Sequence, residues 1–160
     1  MDFNCTDPPL TVRFKAPIGT IGCGEKMHKT AAPLADAPSV AMAGADPTKG
    51  YVLMMIDPDA PSFSAPTFAP IRHWLVVNIP GTALREGNIG SGLTLSAYHR
   101  PGPPPGTGFH RYGQFVFEQP SPVIKFRPVS KSIARWNYTA FIGEYKLGKK
   151  LQSNYLLAQA

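Results

Sequence analysis

Two carboxylates stand where an apolar strand must end. The run from Tyr51 to Ile56 predicts a buried strand, and Asp57-Pro58-Asp59-Ala60-Pro61 follows it directly. The two prolines have no backbone N–H, so they cannot continue a β ladder and the strand ends near Asp57. One explanation is a turn in which the Asp side chains accept hydrogen bonds from nearby backbone N–H groups. The other is a rigid corner at which a carboxylate orients a functional group.

Two histidines stand at the starts of later strands. His73 precedes the apolar run Trp74 to Ile79, and His110 lies just before a strand predicted at 114–118. If the strand that ends at Asp57 and the strand that begins at His73 are antiparallel neighbours, these two side chains lie at one end of the sheet. A lone histidine beside an apolar strand is more often structural than chemical. A carboxylate and an imidazole at the same sheet end favour a site.

A rigid glycine- and proline-rich segment leads into His110. Residues 101–108 read Pro-Gly-Pro-Pro-Pro-Gly-Thr-Gly, which predicts a preformed wall with accessible backbone N–H groups. It is not a phosphate-binding P-loop, because no Gly-Lys-Ser/Thr follows it. Asp59 is predicted to bond within its corner.

The elements that must hold these groups are mostly strands. The pattern predicts strands at 10–14, 39–42, 51–56, 73–79, 93–98 and 114–118. The turn at 45–50 predicts that the second and third of these pair as a hairpin. Residues 62–71 and 82–92 are predicted as loops.

One helix is predicted late in the chain. Ser130 is a plausible N-cap, and Ile133, Trp136 and Ala140 then share one apolar face before Gly143. The last short segment is predicted to run through Tyr155. The sequence therefore predicts a mainly β protein, a sandwich with a helix near its C-terminus.

Composition limits the class of protein. The 160 residues suit one domain, 1–160, and the 15 glycines and 18 prolines favour strands joined by structured loops over a helical bundle. The apolar runs are too short to span a bilayer. The first residues lack the features of a signal peptide, so a cytoplasmic protein is the simplest inference, and a processed secreted form stays open. Cys5 and Cys23 have no metal-ligand spacing, and they could form a disulfide.

The excess positive charge is concentrated in the last quarter of the chain. The net charge is +6, and residues 121–160 carry seven Lys or Arg against Glu144 alone. This basic part could make weak contact with an anionic membrane surface, although a solvated face explains it more simply. It contains no recognisable nucleic-acid motif, so no nucleic acid is expected as a partner.

Three segments together resemble the phosphatidylethanolamine-binding protein family, also called the Raf kinase inhibitor family. They are the corner at 57–61, His73 at its strand, and 102–112, Gly-Pro-Pro-Pro-Gly-Thr-Gly-Phe-His-Arg-Tyr. The resemblance runs from about Ser39 to Pro120, and the C-terminal pattern at 145–148 and 154–155 is also similar. It implies a Greek-key sandwich of two antiparallel sheets with an anion pocket at one end.

The resemblance also implies a site and a role. The residues that it places around the pocket are Asp57, Ala60, Pro61, His73, Gly102, Pro103, Pro104, His110 and Tyr112. It implies a ligand of the phosphate type, such as a phosphorylated head group or peptide, and regulation of a kinase or protease partner. The residue chemistry agrees with this ligand, because two imidazoles and backbone N–H groups can donate to phosphate oxygens. Asp57 is then assigned to orient an imidazole, since a carboxylate facing the anion would oppose binding. It raises the expectation that the Ala60–Pro61 bond, in a tight corner, is cis.

The sequence departs from the family pattern at the expected pocket mouth. Phe68 and Ile71 hold the places of an aromatic pair, Ala69 holds the place of an arginine, and His99 and Arg100 replace small or apolar residues. If the Arg100 guanidinium reaches the mouth, it favours net-anionic ligands over zwitterionic head groups. Alternatively, Arg100 points to solvent or pairs with a surface acid.

A hydrolase is the main alternative function. Asp57, His73 and His110 could form a base and its orienting group, but a nucleophile is then required. Ser62 and Tyr112 are near in sequence, yet there is no Gly-x-Ser-x-Gly motif and neither cysteine has a suitable partner nearby. The sequence therefore favours a non-catalytic binding protein.

A metal site is the weaker alternative. His73, His99, His110 and Asp57 are potential ligands, but no histidines are spaced i, i+4. A pocket framed by positive charge also discourages cations. No metal and no cofactor are expected.

Overall fold

Nine strands and two short α-helices make up the computed structural model, which describes residues 1–160. The strands are β1 Thr11–Phe14, β2 Gly19–Thr20, β3 Glu25–His28, β4 Ser39–Ala41, β5 Gly50–Asp57, β6 Ile71–Pro80, β7 Leu93–Ser96, β8 His110–Glu118 and β9 Gln152–Gln159. The α-helices are α1 Gly81–Glu86 and α2 Tyr138–Glu144, and 3₁₀ turns lie at Ala32–Ala35 and Ile89–Ser91.

The strands form two sheets, which confirms the mainly β prediction. The small sheet has the order β2-β1-β4, and the large sheet has the order β3-β9-β8-β5-β6-β7. All neighbouring strands are antiparallel except β3 and β9, which run parallel. The expectation of two purely antiparallel sheets is therefore wrong at this edge. The backbone N–H of Gly24 donates to the Tyr155 carbonyl, and this bond leads β3 in beside β9.

The central strand β5 is buried on both faces. Tyr51, Leu53 and Met55 point into the core between the two sheets. Val52, Met54 and Ile56 point to the opposite face, into a second apolar cluster that includes Phe141 of α2. A strand covered on both faces is apolar throughout rather than alternating, which explains the continuous run in the sequence.

The predicted hairpin between residues 39–42 and 51–56 is wrong. β4 pairs with β1, and Val40 lies opposite Val12. Both edges of β5 are occupied by the longer strands β6 and β8. The intervening turn forms as predicted, since Asp46 accepts a hydrogen bond from the Thr48 N–H at 2.8 Å, but it carries the chain from one sheet to the other.

The segment 82–92 is helical rather than a loop. α1 buries Ala83 and Leu84 against the core, and Gly87 ends it in the left-handed conformation, with φ of 79°. Glycine is the residue most suited to this helix-ending position. The glycine that indicated a loop in the sequence is therefore a helix terminator.

The late helix begins later than predicted. Ser130 is not its N-cap; the Asn137 side chain caps α2 by accepting from the Ala140 N–H at 3.0 Å. Residues 133–136 are held against the sheet outside the helix, because the Arg72 N–H donates to the Ile133 carbonyl at 2.8 Å and the Trp136 N–H to the Pro70 carbonyl at 2.9 Å. These long-range bonds outweigh the local helical pattern.

The two chain ends are joined to the large sheet. Cys5 and Cys23 form a disulfide, which the sequence left open. Thr6 and Ser153 exchange hydrogen bonds, and this holds the N-terminal segment beside β9. β9 itself continues to Gln159, so the predicted last segment through Tyr155 was too short.

Candidate functional site

The strand pairing brings the predicted chemical groups to one end of the large sheet. Asp57 is the last residue of β5 and lies opposite Ile71, so Asp57 and His73 share a sheet end, as predicted. β8 runs antiparallel to β5 on its other side and begins at His110. Three strands from distant parts of the chain thus deliver a carboxylate and two imidazoles to one place.

A cavity of about 350 Å³ opens among these groups. It brings together every residue that the sequence or the resemblance placed at the pocket or its mouth. Its lining is Asp57, Ala60, Pro61, Phe68, Ile71, His73, His99, Arg100, Gly102, Pro103, Pro104, His110, Tyr112 and Ile133. Only Ile133 was not predicted, because the sequence placed it on a helix rather than in an extended wall. The Ala60–Pro61 bond beside the cavity is cis, as predicted.

Asp57, His110 and Thr107 form a continuous hydrogen-bonded chain. Asp57 Oδ2 lies 2.9 Å from His110 Nδ1, and His110 Nε2 lies 2.9 Å from Thr107 Oγ1. The Thr107 hydroxyl also donates to the Pro104 carbonyl at 2.7 Å. The Asp57 carboxylate accepts from His110 Nδ1–H, so the His110 Nε2 faces the Thr107 hydroxyl. These contacts fix the orientation of the His110 ring.

The second imidazole has one nitrogen free for a ligand. His73 Nδ1 lies 2.7 Å from the His99 carbonyl oxygen, which fixes the hydrogen on Nδ1 because a carbonyl can only accept. Burial lowers the pKa of His73, and the bond to the His99 carbonyl opposes that shift only in part. Neutral His73 therefore presents an Nε2 lone pair to the cavity, and protonated His73 presents an N–H donor.

Tyr112 fixes the spacing of the two imidazoles. Its ring is stacked with His110, with centroids 6.2 Å apart, and meets His73 edge-on at 5.1 Å. Burial and the neighbouring Asp57 carboxylate raise the pKa of Tyr112, while the Gly102 backbone lowers it, so its hydroxyl stays protonated. Tyr112 therefore contributes a rigid ring and a hydroxyl rather than a charge.

Asp59 bonds within its corner through its backbone N–H, whereas its carboxylate bonds outside the corner. The corner is closed by Asp57 Oδ1, which accepts from the Asp59 N–H at 2.7 Å. The Asp59 carboxylate instead accepts from Arg111 through its backbone N–H, Nε and Nη2, at 2.8–2.9 Å. Paired contacts of this kind are strong and directional. They fix the corner to the start of β8.

Arg100 lines the cavity, but its guanidinium is held by backbone oxygens. Arg100 Nη2 donates to the Lys29 carbonyl at 2.7 Å and to the Ala31 carbonyl at 3.3 Å. Arg100 is exposed and lies at the cavity, but its partners are backbone carbonyls and not an acid. The cation nevertheless remains at the cavity rim.

No group of three or more His, Cys, Asp or Glu side chains in the structure is arranged to hold a metal ion. His73 and His110 direct their Nδ1 atoms to a carbonyl and a carboxylate, respectively. None of the helices reaches the length and hydrophobicity that a bilayer crossing requires.

Sequence comparison places the chain in a known family. A sequence model of the family described as phosphatidylethanolamine-binding protein matches residues 14–159. The chain therefore belongs to the phosphatidylethanolamine-binding protein family. The 26 kDa secreted antigen of Toxocara canis is 35% identical over 145 residues, which cover 88% of this chain and 52% of that protein. The chain thus spans about half the length of this curated relative.

Solved structures share the fold. A phosphatidylethanolamine-binding protein from Plasmodium vivax is 21% identical, with a TM-score of 0.75 over 94% of this chain and 84% of that chain. The carboxypeptidase Y inhibitor, solved in complex with its cognate proteinase, is 20% identical, with a TM-score of 0.76 over 94% and 82% of the respective chains. At these sequence identities, the similarity to the two structures shows a shared fold only.

Proposed function

We propose that the cavity binds a phosphate-bearing group without turning it over. The observation that carries this proposal is the buried His73, whose Nδ1 is held by the His99 carbonyl so that Nε2 remains for a ligand. The backbone N–H groups of the Gly/Pro wall add favourable electrostatics for an anion, and the His110 imidazole lines the same cavity. The ligand class is a phosphorylated head group or a phosphorylated peptide.

The proposed biological role is regulation of a protein partner. The resemblance of the sequence motifs to the Raf kinase inhibitor family and the fold shared with a carboxypeptidase Y inhibitor support a kinase or protease as that partner. We also propose an oxidising compartment for this protein. The Cys5–Cys23 disulfide and the relative described as a secreted antigen support it over a cytoplasmic location.

An anion without a proton, such as sulfate, should bind only when His73 is protonated. Sulfate has no hydrogen to give near neutral pH, so only protonated His73 can donate to it, whereas monoanionic phosphate can donate to neutral His73. Because burial lowers the pKa of His73 below its usual value, the free protein is mostly neutral there at pH 7. Sulfate affinity should therefore fall up to about tenfold per unit as pH rises through the pKa of the bound imidazole.

Calorimetric titrations with sulfate, phosphate and phosphoethanolamine across this pH range test the proposal. His73→Gln should remove the pH dependence, and the exposed His28→Gln should retain it. Sulfate and phosphate that fail to bind wild-type protein at low pH would contradict the proposed function. A pH dependence that survives in His73→Gln would assign the proton to another group.

A hydrolase is a second candidate, because the structure places the Thr107 hydroxyl beside His110, whereas the sequence had identified no suitable nucleophile. Asp57, His110 and Thr107 are aligned as an acid, a base and a nucleophile, with both contacts at 2.9 Å. Two observations oppose catalysis. The Thr107 hydroxyl also bonds to the Pro104 carbonyl, and Thr107 does not line the cavity.

We therefore expect no turnover of carboxylic or phosphate esters. Chromogenic acetyl and phosphate esters are incubated with wild-type protein and with Thr107→Val, which keeps the shape of the side chain but removes the hydroxyl. Hydrolysis by wild type that disappears in Thr107→Val would establish the triad as catalytic and exclude a purely binding role.

A further inference from the structure

Four of the seven basic residues in the last quarter of the chain lie on one segment without helix or strand, residues 121–136, which we call the basic strap. At one end Asn78 binds Ile124 through both its side-chain atoms, at 2.9 and 3.0 Å. At the other end the Arg72 N–H donates to the Ile133 carbonyl. Residues 72 and 78 are six positions apart on β6, so the strap follows this strand for about 20 Å.

The strap turns its apolar and basic side chains in opposite directions. Partly buried Phe126, Val129 and Trp136 pack into the cluster on the outer face of the large sheet. The exposed side chains include a line of four cations, Lys125, Arg127, Lys131 and Arg135. Only Arg127 has an acidic partner, Glu144, and its own side chain stays 78% exposed. The folded chain itself therefore leaves most of this charge unneutralised.

The backbone of the strap is also largely unpaired. Between residues 125 and 131 the only N–H that donates within the chain is that of Arg127, to Tyr145 Oη at 3.0 Å. The only carbonyl that accepts within the chain is that of Ser130, from Arg72 Nη2. An extended peptide could pair with such a segment through its main chain, as added strands do at sheet edges.

The line of charge ends at the rim of the candidate pocket. Arg135 lies over the Phe68 ring at 5.2 Å, and its Nε donates to the Thr67 carbonyl. Phe68 of the loop before β6 lines the cavity, and so does Ile133 of the strap. A chain that follows the strap therefore arrives at the anion pocket.

We propose that the basic strap binds an extended acidic segment of a protein partner, and that a phosphorylated residue next to this segment occupies the pocket. The occupation of the pocket by a phosphorylated residue rests on the proposed function. A length of about 20 Å corresponds to about six residues of an extended peptide.

The surface of the strap favours a peptide over a membrane or a nucleic acid. Its aromatic side chains, Phe126 and Trp136, face the sheet, and the large apolar residue most exposed on it is Val123. Interfacial membrane binding needs apolar groups that enter the lipid, and single-stranded nucleic acid needs exposed rings for stacking. The strap presents cationic side chains and unpaired backbone groups, and both complement an extended acidic peptide.

The test compares two synthetic peptides, each a phosphoserine followed by about six residues, either glutamate or glutamine. Fluorescence anisotropy at low salt should show roughly tenfold tighter binding of the glutamate peptide, a preference that fades at high salt. Lys125→Gln/Lys131→Gln should lose about three- to tenfold in affinity for it. The matched control, Lys146→Gln/Lys149→Gln, removes the same charge from exposed positions outside the strap and should lose little.

Equal affinity for the two peptides, or equal losses in the two double variants, would overturn the inference. Binding to phosphatidylserine vesicles that is lost only in Lys125→Gln/Lys131→Gln, without a peptide preference, would assign the strap to membranes and overturn it too. Inorganic phosphate separates the two proposals. Phosphate binding by wild type without an acidic preference refutes the strap alone, whereas failure of phosphate to bind refutes the pocket.

Discussion

Asp57→Ala should lower the free energy of unfolding by about 3–5 kcal/mol and abolish phosphate binding. The carboxylate is 2% exposed and accepts from two buried donors, the His110 imidazole and the Asp59 N–H. Alanine leaves both donors unpaired in a buried position. His110 also loses the contact that fixes its orientation, so the back of the pocket changes shape.

Urea unfolding of Asp57→Ala and two controls measures this effect. Asp57→Asn keeps the shape but has one acceptor oxygen for two donors, so it should lose less than alanine. Asp36→Ala removes a carboxylate that pairs with Lys15 at the surface, where the side chain is 59% exposed, and should lose less than about 1 kcal/mol. If Asp57→Ala costs no more than Asp36→Ala, the buried Asp57–His110 pair does not hold the pocket together.

Tyr112→Ala should destabilise the protein by a similar amount, about 3–5 kcal/mol, and also abolish phosphate binding. Tyr112 is 1% exposed, belongs to the core between the sheets, and contacts both imidazole rings. Alanine opens a cavity in the core and removes the spacer between His73 and His110. Tyr112→Ala therefore disrupts both the binding site and the core.

Tyr112→Phe separates the ring from the hydroxyl. It keeps the packing against both imidazoles, so the free energy of unfolding should change by only about 1 kcal/mol, and phosphate should still bind. Urea unfolding and phosphate titration of the two variants give the comparison. An alanine variant that binds phosphate as well as the phenylalanine variant would show that the ring does not position the imidazoles.

These two predictions depend on residues that the sequence identified for different reasons. Asp57 ends an apolar run and stands next to a proline, so its place at a strand end is a local property of the chain. Tyr112 has no such local signal, and only the resemblance of its segment to a known family placed it at the pocket. The structure brings both to one cavity because β8 pairs with β5 and β9.

The sequence by itself determined the features that depend on neighbouring residues. The continuous apolar run of β5 requires cover on both faces, and the prolines after Asp57 end the strand wherever its partners lie. The rigid wall before His110 also follows from its glycines and prolines alone. These local constraints were enough to predict a mainly β protein and the end of the sheet that carries the candidate site.

Only the tertiary structure decided which groups became partners. β4 pairs with β1 because both edges of β5 are taken, and residues 133–136 stay outside the helix because β6 and its preceding loop bond to them. The same holds for the carbonyl that fixes His73, the arginine that binds Asp59, and the oxygens that hold Arg100. Each of these contacts joins residues at least 26 positions apart, and no pattern of neighbouring residues specifies a hydrogen bond across that distance.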